Sequence, residues 1–127
     1  MSDLTFSDMQ KMQYQLWEKN KEQWSPLEPE QARNHFLWMI GEVGEALEIV
    51  KKSGEVNIMS DPAVKSAFVE EMCDVLMYFN DILMRYKVEP EDIADIYVKK
   101  FNKNMGRNFA IEEQAFTDHF KDEGAGE

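Results

Sequence analysis

Residues 30–53 read EQARNHFLWMIGEVGEALEIVKKS, and this stretch decides the fold. Ala32, Phe36, Met39, Ile40, Val43, Ala46, Leu47 and Val50 recur at helical spacing and share one face. Lys51 and Lys52 suit a helix C-terminus, and Gly54 supplies the stop. A helix over Glu30–Ser53 would extend about 36 Å at about 1.5 Å per residue. Downstream, Asp61-Pro62 offers a cap and a first-turn proline. The apolar series from Val64 through Met72, Val75, Leu76 and Phe79 to Tyr86 then predicts another long amphipathic helix, sharing a core with the first.

Upstream, Ser7-Asp8-Met9-Gln10 fits a capping box, and Met9, Gln13 and Leu16 give a modest helical stripe that fades near Asn20. Lys21 to Pro29 has no period and reads as a connector carrying Trp24. Pro90 opens a further helix that Gly106 ends, and Ile111 to Phe120 predicts a short extra one. No segment alternates as a strand, and no solenoid period recurs. The expected architecture is an all-α bundle of about four helices with a short C-terminal extra helix. It forms a single domain over 1–120, followed by a flexible acidic tail over 121–127.

The chain has 127 residues, 31% of them charged and 43% hydrophobic, which suits a folded domain that buries roughly two-thirds of its unfolded surface. Lys plus Arg number 14 and Asp plus Glu 25, so the net charge of −11 repels nucleic-acid phosphates and anionic membranes. Neither nucleic acid nor membrane is expected as a partner. Apolar runs stop well short of the roughly 20 residues that span a bilayer, and the N-terminus lacks a signal-peptide pattern. With Cys73 the single cysteine, a reducing, cytoplasmic setting is expected.

Glu42 and Glu45 lie one turn apart beside the apolar stripe, and Glu71 and Asp74 repeat the device on the next long helix. In an acidic chain such pairs often just face solvent. Here both sit mid-helix in the two most apolar segments, where packing can bring all four carboxylates together. Like charges about 4 Å apart cost on the order of 4 kcal/mol per pair at an effective dielectric near 20, so the cluster needs protons or a cation. All-oxygen ligands favour Mg²⁺ or Mn²⁺ over zinc, and neither pair has the His that bundle di-iron sites place three residues after a Glu.

Trp38 and Asn34 continue the Glu42 face backwards at four-residue steps, and Tyr78 continues the Asp74 face. These groups pack structurally or touch a ligand; Trp24 is either a lid over the core or a stacking surface. His35 reads as a surface or helix-start residue. Cys73 reads as a small packing residue, not a nucleophile. The run from Lys100 through Lys103 to Arg107 supplies the densest positive charge, which either complements a helix dipole or binds phosphate through Lys100, Asn104 and Arg107.

Glu-x-x-Glu, a spacer from Ala46 to Glu70, Glu-x-x-Asp and then Lys100-x-x-x-Asn104-x-x-Arg107 together resemble the MazG-like all-α nucleoside triphosphate pyrophosphohydrolases. The resemblance covers Gln23 to Phe109. It implies Mg²⁺-dependent hydrolysis of a nucleoside triphosphate between its α and β phosphates, giving a monophosphate and pyrophosphate. Glu42, Glu45, Glu71 and Asp74 match the metal-binding carboxylates, Lys100, Asn104 and Arg107 the phosphate side, and Trp24 and Trp38, loosely, the base-contacting aromatics. Glu45 or Glu42 would act as general base. The resemblance also implies a homodimer or homotetramer. Two other expectations stand beside it: a phosphoribosyl-ATP pyrophosphohydrolase, which shares the acid motifs, and a non-catalytic nucleotide- or metal-binding helical module. An acidic interaction bundle without metal is a third.

Overall fold

The computed structural model describes residues 3–107 and 109–125. The chain is all-helical, with six α-helices, one 3₁₀ turn and no strand among the described residues. It divides into two compact units, Met1–Pro90 and Glu91–Glu127.

In the first unit, α1 (Phe6–Asn20) is capped by Thr5, two residues before the expected Ser7. Thr5 Oγ1 accepts from the Asp8 N–H and Asp8 Oδ2 accepts from the Thr5 N–H, each at 3.0 Å. Hydrogen bonding to its carboxyl, from the Thr5 backbone N–H first and then from the Thr5 side chain, holds Asp8 below its ordinary value. Gln10 cannot close the expected box because its side chain is buried. The connector that follows is strapped on two sides: Trp17 Nε1–H donates to the Ser25 carbonyl at 2.9 Å, and Arg85 Nη1–H donates to that of Pro26. A 3₁₀ turn, Pro29–Gln31, leads into α2 (Ala32–Ser53).

Gly54, at φ 82°, turns the chain in a conformation that favours glycine and ends α2. The next residues, expected as a loop, form α3 (Glu55–Ser60) instead. Asn57 and Ser60 tie it back locally through bonds to the Ser53 and Val56 carbonyls at 2.6 and 2.7 Å. Asp61 Oδ1 caps α4 (Pro62–Arg85) by accepting from the Ala63 N–H at 3.0 Å. Packing centres on α4, with α2 as its main partner and α1 and α3 alongside. Glu42 meets Glu71 while His35 meets Asp81, so α2 and α4 run antiparallel.

The apolar stripe is only partly covered. Ala32, Ala46 and Ile82 are buried, but Phe36, Ile40, Val43, Leu47 and Met72, all expected in the core, are exposed. The apolar arc of α2 is wider than its single long neighbour can shield. Cys73, expected as a small packing residue, is likewise exposed.

The second unit holds α5 (Pro90–Met105) and α6 (Phe109–Ala125). The latter begins before the expected Ile111 and stays helical through Ala125, beyond the residue 120 at which the expected fold ends. Among the described residues no helix is long and apolar enough to cross a membrane.

Candidate functional site

The antiparallel register of α2 and α4 sets the site out in order. Glu42 on α2 and Glu71 and Asp74 on α4 each bring a carboxylate oxygen within 4.8 Å of the others. The Glu71 carboxyl is raised above its ordinary value, first by a hydrogen bond with Glu42, then by desolvation and by the charges of Glu42, Asp74 and Glu45. Three carboxylates this close repel one another, so the cluster is short of positive charge. Glu45 lies outside the three-donor group but close enough to act on Glu71.

One turn from the acids stands a group of rings. The His35 ring centre lies 4.7 Å from that of Trp38 and 6.2 Å from that of Tyr78, and Trp38 and Tyr78 are 6.3 Å apart. Burial raises the Tyr78 phenol, assisted by Glu42, Asp74 and Asp81. Trp38 keeps half of its surface exposed, so a face remains for a further ring.

One turn further, His35, Asp81 and Arg85 are all buried. Arg85 Nε–H donates to Asp81 Oδ1 at 2.6 Å, and His35 Nε2 stands 3.4 Å from the same oxygen. His35 Nδ1–H donates to the Gln31 carbonyl at 2.9 Å, because a carbonyl can only accept.

All three groups border one cavity of 590 Å³. Of the residues singled out in the sequence, Trp24, Asn34, Trp38, Glu42, Asp74 and Tyr78 line it. Glu71 joins at the carboxylate cluster. Lys100, Asn104 and Arg107 belong to the second unit. There Arg107 Nε–H donates to both Glu112 oxygens, at 3.0 and 2.8 Å, and Nη1–H donates to Asn104 Oδ1 at 3.2 Å. The Glu112 carboxylate raises the guanidinium's affinity for its proton, and the guanidinium lowers Glu112 in return.

His35 stands in the first turn of α2, as the helix-start expectation has it, but it is a buried wall of the cavity and not a surface residue; the sequence reading passed over Asp81 and Arg85. A signal existed: an acid and an arginine four residues apart in a strongly apolar helix are seldom buried unless paired.

Three hard oxygen donors crowded within 4.8 Å suit a divalent cation such as Mg²⁺ or Mn²⁺, and the absence of nitrogen or sulfur donors from the group disfavours softer metals. No protein-family model, curated protein or solved structure matches the chain.

Proposed function

We propose that the protein is a Mg²⁺-dependent nucleotide pyrophosphohydrolase that cleaves ribo- or deoxynucleoside triphosphates between the α and β phosphates. The observation that carries this reading is the placing of a carboxylate cluster short of positive charge beside a cavity walled by aromatic rings. A polyphosphate with its cation suits the first and a nucleobase the second.

Glu42, Glu71 and Asp74 would hold Mg²⁺, with Mn²⁺ as a substitute. Bound there, the metal neutralises phosphate charge and makes the phosphorus open to attack. Trp24, Trp38 and Tyr78 stack against the base and sugar and fix the nucleotide's position, with Asn34 offering its amide. Glu45, close to the cluster yet outside the three donors, accepts the proton of the attacking water. The water oxygen bonds to the α-phosphorus, the bond from that phosphorus to the oxygen bridging to the β-phosphorus breaks, and monophosphate and pyrophosphate leave.

The deciding experiment is pyrophosphate release from a panel of nucleoside triphosphates, with Mg²⁺ and with chelator, for wild type and Glu42→Gln. Release should require the metal and fall at least about 100-fold in the variant. Release that survives both chelator and substitution overturns the assignment; no release from any nucleotide overturns catalysis.

The uncovered apolar arc, with Leu37, Ile40 and Val43 exposed on α2 and Val69 and Met72 on α4, suits a second copy of the chain, as a homodimer or homotetramer. Light scattering should give the mass of two or four chains, and a single-chain mass would exclude this. Cys73 as an exposed thiol suits a reducing cytoplasm.

A further inference from the structure

The inner wall of the cavity carries a group that the hydrolytic reading does not use. Asp81 is 3% exposed, lies on the cavity wall, and is fixed through a single oxygen, Oδ1, which faces both Arg85 Nε and His35 Nε2. Its other oxygen, Oδ2, takes part in neither contact. Nor is Oδ2 a sealed orphan: among the described residues, the side-chain atoms shut off from solvent without a partner are Gln10 Nε2 and Asn80 Oδ1. Arg85 is itself locked, through Nε to Asp81 and through Nη1 to the Pro26 carbonyl. The acid is thus charge-compensated from behind and immobile, with one acceptor left over.

Register gives that acceptor a purpose. From Glu42 back to His35 on α2, and from Asp74 on to Asp81 on α4, is seven residues, about 10 Å along each axis. The rings of Trp38 and Tyr78 lie between the two levels. A nucleotide with its phosphates at the carboxylates and its base among the rings brings the outer edge of the base to Asp81. A carboxylate oxygen only accepts hydrogen bonds. Cytosine and adenine present an amino donor there, at C4 and C6, whereas uracil and thymine at C4 and guanine at C6 present a carbonyl in the same position.

Resting on the nucleotide reading of the cavity, the geometry points to Asp81 as a specificity-determining residue that selects cytosine and adenine nucleotides, with their 4- or 6-amino group, and rejects those with a carbonyl at that position. A buried acceptor facing a carbonyl is left unpaired and repelled, which is a far stronger basis for rejection than a change in apolar contact. Stacking on Trp38 and Tyr78 would not discriminate, because every base has a ring face.

The test uses binding of nucleoside monophosphates, which needs no turnover. With Mg²⁺ present, wild type should bind CMP about tenfold or more tighter than UMP, followed by tryptophan fluorescence or calorimetry. N4,N4-dimethyl-CMP, which keeps the ring but has no amino hydrogen, should fall to the UMP level. Asp81→Asn should reverse the order: its Oδ1 takes the Arg85 bond and its Nδ2–H₂ faces the cavity as a donor, favouring UMP. Equal binding of CMP and UMP by wild type, undiminished binding of the dimethyl analogue, or an unchanged ratio in a folded Asp81→Asn protein would each overturn the assignment, as would no binding of either nucleotide. The two readings fail separately. Pyrophosphate release from CTP and UTP at equal efficiency keeps the hydrolase and removes the role of Asp81; a CMP preference without any hydrolysis keeps Asp81 and removes catalysis.

Discussion

Both ends of the cavity are built on acids from α2 and α4, and they resolve the same electrostatic problem in opposite ways. At the inner end, Asp81 is buried with Arg85 Nε at 2.6 Å, so its charge is answered within the chain. At the outer end, Glu42, Glu71 and Asp74 crowd within 4.8 Å with no cationic side chain among them, and the Glu71 carboxyl is raised as a result. An acid answered inside the fold can orient and read a ligand. A cluster left unanswered demands a ligand of its own, either protons or metal.

The largest effect is expected where the compensation is internal. Arg85→Met removes the guanidinium from a site 1% exposed and leaves Asp81 and the Pro26 carbonyl without their donor, which should cost about 3–5 kcal/mol in denaturant unfolding. The double variant Arg85→Met with Asp81→Leu should recover at least half of that loss, because the uncompensated charge is gone. Equal losses in the single and double variants would mean that the arginine matters for packing, and the contrast between the two ends would fall.

The fold was far more legible than the inner end of the site. Helical periodicity, Gly54, Asp61-Pro62 and the four-residue steps from Asn34 to Trp38 to Glu42 are local signals, readable on one helix at a time. The carboxylate cluster was legible because each helix carries an acid pair at a repeated spacing, although Glu42 alone of the α2 pair joins the three donors. The depth of the core was not: a stripe such as Phe36, Ile40, Val43 and Leu47 states which side is apolar, but what covers it depends on neighbours the period does not name. His35 and Asp81 escaped for the same reason. Their pairing joins residues 46 apart in the chain, and only the antiparallel register of α2 and α4 brings it about. The first cap was missed by two residues because Asp8 closes a box with Thr5 as readily as a glutamate would, while Gln10, the expected partner, turns inward.

A smaller effect, of opposite sign, is expected at the outer end. The Glu71 carboxyl in the folded chain is raised above its ordinary value of 4.5. Between that value and the raised one, the folded state therefore binds more protons than the unfolded state, and stability falls as pH rises through this window. Above it the repulsion is fully developed; at pH well below 4.5 both states are protonated and it is gone. In chelator, Glu71→Gln should thus raise the melting temperature at pH 7 and lose that advantage in acid, the reverse of the usual cost of removing a paired acid. Added Mg²⁺ should raise the wild-type melting temperature at pH 7, since a ligand held only by the folded state stabilises it, and should do so less in Glu71→Gln, which lacks one of the three donors. If the variant is less stable than wild type in chelator at pH 7, the outer acids are answered within the fold just as Asp81 is. The reason for assigning a metal to them would then disappear.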